Sequence, residues 1–263
     1  MTDDEVTELP SAARLDEAVA SYRERGFARL GKCVSPALLA EMRARVDAMM
    51  RGELRYEGLF FQRDTDTGRY EDLGYGHGWV GPTLSYRKLE KLERDPVFLA
   101  FIQAPLFREV TRRLIGPAVT LYRAVVFNKA AETGGSDTPW HQDGGRFWGL
   151  DRDPGLQAWT ALDDAPVDGG CLEVLEGSHR LGLATPLGGV VPARLLEEAD
   201  AEARALPLPA EAGEVILLHN YAWHRTRRGR VGHARRALTV CYLDAATRCL
   251  RRKHAPRTFL RVF

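Results

Sequence analysis

Trp140-His141-Gln142-Asp143-Gly144-Gly145 places a histidine and an aspartate one residue apart, and Asn220-Tyr221-Ala222-Trp223-His224 brings a second histidine from far along the chain. On a strand, residues i and i+2 point to the same face, so His141 and Asp143 can share a target. A distant strand carrying His224 can close the set. Two imidazoles and one carboxylate on one side of a metal, with the other positions open, suit a non-haem Fe(II) centre. H-x-D alone is a common pattern; the second histidine and a matching anion-binding cation give it meaning.

Arg235 is that cation. It precedes Arg236-Ala237-Leu238-Thr239-Val240, so a guanidinium enters the core at the start of a strand, where it needs an anion, and a carboxylate held by two parallel hydrogen bonds is its natural partner. A dicarboxylate that chelates the metal at one end and meets Arg235 at the other answers that need. Arg236 is the rival, since strand alternation turns only one of the two inward. Arg146, Phe147 and Trp148 lie just past the H-x-D pair and should edge the pocket, Arg146 as an anion or polar-group contact unless it pairs with Asp151, Asp153 or Asp163. His179, in the turn Gly177-Ser178-His179, reads as structural. His219 sits five residues before His224, an odd separation that sends it to the opposite strand face.

The elements that must carry these residues follow from periodicity. Leu15, Ala18, Val19 and Tyr22 recur at helical spacing, and Gly26 to Leu30 reads as a short strand after a helix that ends at the glycine. Ser35-Pro36 caps a second helix striped by Leu38, Leu39, Met42, Val46 and Met49. Residues 52–86 have no sustained period but are dense in aromatics and glycines, and an aromatic-rich loop of that length, with His77 inside it, reads as a lid. A helical pattern runs from Leu89 to Ile115, with a fresh start at Asp95-Pro96. From Ala118 the character is β: strands are expected at Val119 to Lys129, Leu156 to Leu162, Cys171 to Leu175, Glu214 to His219 and Ala237 to Leu243. Many short strands with turn signals between them mean a sandwich, jelly roll or barrel. Residues 181–210 look like an insertion with a helical middle around Ala193 to Ala205.

The chain has 263 residues, 44% of them hydrophobic and 28% charged, with a formal net charge of +1. That suits one large β domain with decorations, and residues 1–263 are read as a single domain: helices and lid over 10–117, core over 118–245, basic tail over 246–263. No apolar run approaches the roughly eighteen residues needed to span a bilayer. The start Met1-Thr2-Asp3-Asp4-Glu5 lacks the form of a signal peptide, so a cytoplasmic protein is expected. Cys33, Cys171, Cys241 and Cys249 are widely spaced and read as free thiols rather than a disulfide frame or zinc site. The near-neutral charge argues against a nucleic-acid partner.

Taken together, these residues identify the chain as similar to the phytanoyl-CoA dioxygenase family of Fe(II)/2-oxoglutarate-dependent oxygenases. The match lies in Trp140-His141-Gln142-Asp143, Gly169-Gly170-Cys171-Leu172-Glu173-Val174 leading into Gly177-Ser178-His179, Gly213-Glu214-Val215 with His224, and Arg235-Arg236-Ala237. The resemblance implies an α+β chain, mainly β, with a double-stranded β-helix (jelly-roll, cupin-like) core, N-terminal helices and an aromatic-rich lid. It implies His141, Asp143 and His224 as ligands of Fe(II), with 2-oxoglutarate and O2 as cosubstrates. Arg235 and Thr226 would hold the cosubstrate carboxylate, with Asn128, Trp159 and Lys88 near it. Asp143 stands where halogenating relatives have a small residue, which disfavours halogenation. The asparagine common after the distal histidine is missing, and Arg225-Thr226-Arg227-Arg228-Gly229-Arg230 replaces it.

The expected reaction is hydroxylation of an unactivated C–H of a small-molecule metabolite, with release of succinate and CO2 and no catalytic residue beyond the metal triad. Desaturation, cyclisation or epimerisation use the same cofactors, and a metal-binding jelly roll without oxygenase activity is the rival class. Arg225 to Arg230 and Arg248-Cys249-Leu250-Arg251-Arg252-Lys253 could meet phosphates of a CoA or carrier-protein thioester, so the expected partner is a small molecule, anionic or neutral, or such a thioester, with no membrane contact.

Overall fold

Two capped helices open the fold. Ser11 Oγ accepts from Arg14 N to start α1 (Ala12–Arg25), which stops at Gly26, whose φ of 85° most residues avoid. After β1 (Phe27–Lys32), Ser35 Oγ accepts from Leu38 N and Pro36 begins α2 (Pro36–Arg51). Each helix buries the stripe its spacing predicts, Leu15 to Tyr22 in α1 and Leu38 to Met50 in α2. The computed structural model describes residues 7–76, 78–252 and 257–263; His77, Lys253 and the acidic start Met1 to Glu5 lie outside the described residues.

The helical run expected from Leu89 to Ile115 divides. Leu89 belongs to β3 (Tyr86–Glu90), paired on one side with β2 (Phe60–Arg63). The α-helix begins only where the Asp95 carboxylate accepts from Val97 N and Phe98 N, giving α3 (Pro96–Ile102), and Pro105 then starts α4 (Pro105–Leu114). The apolar spacing of Leu89 and Leu92 cannot tell a buried strand from a helix, and proline decides where the helices start.

The remaining strands are β4 (Val119–Lys129), β5 (Thr138–Gln142), β6 (Leu156–Ala161), β7 (Leu172–Val174) and β8 (Gly189–Val190), then, after helix α5 (Ala193–Glu198), β9 (Leu206–Leu208), β10 (Glu214–Leu218), β11 (His224–Thr226), β12 (Arg235–Asp244) and β13 (Leu260–Arg261). They form two antiparallel sheets. The larger runs β1-β10-β6-β12-β4-β3-β2, with β13 beside β4, and the smaller runs β8-β5-β11-β7-β9. This is the expected double-stranded β-helix.

Residues 181–210 are more than an insertion. Their two short strands pair with β5 and β7 and form both edges of the smaller sheet, and their helix ends at Glu198, short of the expected Ala205. Strands of two or three residues are too short for a period to show in sequence.

Alternation in the larger sheet separates two cores. Leu238, Val240 and Tyr242 of β12 join Leu156 and Ala158 of β6 and Val215 and Leu217 of β10 in a core packed against the helices. Ala237, Trp159, Ala161, Ile216 and Leu218 turn the other way and pack between the sheets. The same parity sends Arg235 and Thr239 into the space between the sheets, where the candidate site lies. Among the described residues, no helix is long and apolar enough to cross a membrane.

Candidate metal centre

β5 and β11 are neighbours in the smaller sheet, and His141 and His224 face each other in register. Their ring centroids lie 4.0 Å apart. Each Nδ1 sits 2.9 Å from the carbonyl oxygen of the residue two before it, Pro139 for His141 and Ala222 for His224. A ring nitrogen against a carbonyl must carry the proton, so each Nε2 keeps the lone pair a metal needs. Asp143 lies just past the end of β5, where its backbone N–H donates to Asn220 O at 2.8 Å. One ligand atom from each of His141, Asp143 and His224 lies within 4.8 Å of the other two.

Electrostatics favours a cation here. Burial, then the neighbouring His141, hold the His224 imidazole down at about 4, despite the opposing pull of Asp143. Burial pushes the Asp143 carboxyl up, but Arg123, the two histidines and the hydrogen bond from Gln157 outweigh it and bring it to about 2. At neutral pH Asp143 is charged and His224 is neutral, the forms that bind a divalent metal.

The three residues line a cavity of about 620 Å³ between the sheets. Arg235 lies in its wall, 3% exposed, with its Nε buried and unpartnered. No hydrogen bond or ion pair within 4.0 Å reaches its guanidinium from any described residue, and burial lowers it to about 10. Arg236 turns outward and pairs with Asp163 at 2.7 Å and Asp47 at 2.7 Å, so Arg235 is the inward member of the pair. An unpaired guanidinium in the same cavity as a three-ligand set is what a chelating dicarboxylate would complete.

The other expected residues divide. Thr226 and Trp159 line the cavity, Thr226 with its hydroxyl uncommitted to any described residue. Asn128 also lines it, but its Nδ2 donates to the carbonyls of Leu84 and Tyr86, both at 2.9 Å, so its amide protons are spent on backbone. Lys88 lines it while paired with Glu90. Phe147 stands at the cavity edge, 67% exposed.

Arg146 corrects the expectation. It is exposed and outside the cavity lining, because the 3-10 turn Arg146–Trp148 sends Phe147 and Trp148 toward the cavity instead. Its proposed acidic partners are engaged elsewhere: Asp151 by Arg248, Asp153 by Tyr221 and Asp163 by Arg236.

Four polar residues of the site went unnoticed in the sequence. Gln157 donates to Asp143 Oδ2 at 2.7 Å, and Arg123 Nη2 lies 3.4 Å from Oδ1. Arg87 and Lys129 line the cavity on the Arg235 side. Arg87 donates to Ser136, Thr138 and Gln62, and Lys129 Nζ to Ser136 O at 2.6 Å; burial, the leading influence, lowers both cations. The available signal was a basic residue inside an otherwise apolar strand, as in Leu121-Tyr122-Arg123-Ala124-Val125.

His179 and His219 lie against each other with tilted rings, centroids 5.0 Å apart, outside the cavity lining. The basic run is largely neutralised within the chain. Arg225 and Arg227 pair with Glu173 and Glu202, Arg230 pairs with Asp168, and Arg228 donates to the carbonyls of Thr133 and Gly135. In the tail, Arg248 pairs with Asp151 and Arg251 donates to Phe147 O.

The family model described as phytanoyl-CoA dioxygenase (PhyH) matches residues 22–237, most of the chain, including His141, Asp143, His224 and Arg235. The chain belongs to the phytanoyl-CoA dioxygenase family. Among curated members, it is 28% identical over 180 residues to mouse phytanoyl-CoA dioxygenase domain-containing protein 1, covering 65% of this chain and 62% of that one. It is 24% identical over 233 residues to the bovine peroxisomal phytanoyl-CoA dioxygenase, covering 85% and 67%. The chain thus spans about two thirds of the length of these relatives.

Solved structures share the fold. The epimerase SnoN, in complex with Fe3+, alpha ketoglutarate and nogalamycin RO, superposes with TM-score 0.72 at 19% identity, covering 96% of this chain and all of that one. The carbocyclase SnoK from nogalamycin biosynthesis gives 0.72 at 22%, covering 97% and 100%. EctD from S. alaskensis, with 2-oxoglutarate and 5-hydroxyectoine, gives 0.70 at 18%, covering 91% and 78%.

Proposed function

We propose that the protein is a non-haem Fe(II)- and 2-oxoglutarate-dependent dioxygenase that hydroxylates an unactivated C–H of a small-molecule metabolite. The observation that carries this reading is Arg235, a buried guanidinium with no anionic partner in the cavity that holds His141, Asp143 and His224. The reaction balances as R–H, O2 and 2-oxoglutarate giving R–OH, succinate and CO2. Fe(II) on the triad would supply the redox chemistry that joins O2 reduction to oxidative decarboxylation.

This chain's residues bind and orient. Arg235 and the hydroxyl of Thr226 hold the far carboxylate of the cosubstrate, and the indole of Trp159 walls its carbon chain. Lys88, held by Glu90, lies in the same cavity and offers its ammonium to a cosubstrate or substrate oxygen. Asn128 serves by fixing the backbone of Leu84 and Tyr86. Phe147 and Trp148 on one side and Tyr70 to Tyr75 on the other keep water from the reacting carbon. All four cysteines are free thiols, which supports a reducing compartment such as the cytoplasm. A cavity of this size admits a metabolite beside the cosubstrate, and a thioester would enter by its acyl end.

The test is an anaerobic titration of the protein with Fe(II) and 2-oxoglutarate, followed by the visible charge-transfer band of the chelate, and then a substrate screen by succinate release coupled to product mass. A product heavier by one oxygen supports hydroxylation. A product lighter by two hydrogens, or of unchanged mass and inverted configuration, assigns cyclisation, desaturation or epimerisation instead. Iron binding without any 2-oxoglutarate affinity would leave a metal-binding jelly roll of another kind.

A further inference from the structure

β4 contains an irregularity beside the site. Arg123 faces Cys241 of β12 and Leu121 faces Tyr242, so Tyr122 is an extra residue with no partner opposite. A bulge of this kind inserts one residue and re-aims the side chains around it. Val119 and Leu121 before it, and Ala124 and Val126 after it, all pack against the helices. The consecutive Tyr122 and Arg123 both turn into the space between the sheets. There Trp148 stacks on Tyr122, centroids 4.5 Å apart at 20°, and the Arg123 guanidinium lies 4.7 Å from the centre of the Trp148 ring. Arg257 covers Tyr122 at 4.5 Å.

The platform so built aims Arg123 at one atom. Its Nη2 is 3.4 Å from Asp143 Oδ1, and no other described residue offers it a carboxylate within 4.0 Å. The other oxygen, Oδ2, is the one 3.7 Å from His224 Nε2, and it accepts from Gln157 at 2.7 Å. The two oxygens are thus held in different roles, Oδ2 toward His224 and Gln157 and Oδ1 toward the guanidinium. The Arg123 Nε is buried without a partner, so this cation is placed at a cost that an ordinary structural ion pair would not require.

We propose that Arg123 is a positioning residue that restrains Asp143 to a single metal-binding oxygen. This rests on the iron and 2-oxoglutarate reading above. An unrestrained carboxylate can give both oxygens to one metal, and the second would occupy a position that the cosubstrate or O2 must use. Arg123 prevents this by bonding Oδ1, while the Trp148 and Tyr122 rings keep the guanidinium from following a swing of the carboxylate.

The test compares wild type with Arg123→Met, which keeps the volume of the stem and removes the donor, and with Arg123→Lys, which restores a cation. Co(II) alone is the first probe. The expected result is that Arg123→Met binds Co(II) as tightly as wild type or more tightly, with a weaker visible d–d spectrum that marks higher coordination. Under anaerobic Fe(II), its 2-oxoglutarate affinity falls about 10-fold or more, and Arg123→Lys recovers part of it. A purely structural role would weaken Co(II) and 2-oxoglutarate binding together and lower the unfolding temperature. That pattern, or an Arg123→Met protein with a wild-type Co(II) spectrum and wild-type 2-oxoglutarate affinity, overturns the proposal. If wild type binds no 2-oxoglutarate at all, the oxygenase reading fails, and the Co(II) spectra still decide whether Arg123 restrains Asp143.

Discussion

His141 and His224 are direct cross-strand partners, and each donates its Nδ1 proton to the carbonyl two residues before it. The register of two short strands therefore brings the rings together, and the local backbone fixes their tautomer. His141→Ala or His224→Ala removes a ligand while leaving the backbone pairing intact. Each variant should fold, and its Co(II) affinity should fall about 100-fold or more by calorimetric titration. His179→Ala, outside the cavity, should bind Co(II) like wild type.

Arg235 and Arg236 offer a contrast within one dipeptide. Arg235→Met removes a buried charge that no described residue pairs with, so the unfolding temperature should hold or rise while 2-oxoglutarate affinity falls by about 100-fold. Arg236→Ala strips Asp163 and Asp47 of their 2.7 Å partner. It should cost about 1–3 kcal/mol in urea unfolding and leave 2-oxoglutarate affinity unchanged. The reverse pattern would mean that Arg236 is the cosubstrate cation.

The cluster of His141, Asp143 and His224 and the inward turn of Arg235 were legible in the sequence because each depends on a spacing tied to strand geometry. Two caps were legible too: Ser35 and Asp95 both start helices. Arg146 misled because it stands next to the motif, yet a 3-10 turn rotates successive side chains by about a third of a circle and sends it to solvent. Arg123 and Gln157 were missed because their role depends on which strands become neighbours and on a one-residue bulge, neither of which leaves a local periodic trace. The edge strands at Gly189 and Leu206 hid for a related reason: two or three residues hold no period, and pairing with β5 and β7 makes them strands.

Arg225, next to the distal histidine, is a structural clamp. It is buried on the β11 strand, donates to Glu173 Oε2 at 2.9 Å, pairs with Glu202 and lies over the Trp140 ring at 4.5 Å. Removing one member of a buried pair costs far more than the pair contributes, because the other charge is left behind. Arg225→Ala should lower stability by about 3 kcal/mol, with Arg227 still at 2.8 Å from Glu173 limiting the loss. Arg225→Met combined with Glu173→Gln should lose less than the sum of the single changes in urea unfolding.

His219 sets an acid limit on stability. Burial, then the neighbouring His179, lower its imidazole from 6.5 to about 4, and its Nδ1 accepts the Tyr221 N–H at 3.0 Å. Protonation removes that acceptor and puts a charge against His179 and the ring of Tyr22. Between these two values the unfolded chain binds more protons than the folded one, so stability rises with pH. The contribution is complete above pH 6.5 and is lost as pH falls through about 4. It should amount to about 1–2 kcal/mol, reduced from the full linkage value by water reaching the half-buried ring. Thermal unfolding of wild type should therefore weaken from pH 6.5 to 4, and His219→Gln, which has no proton to gain in that range, should show a shallower decline. Parallel declines in the two proteins would assign the acid loss to other groups.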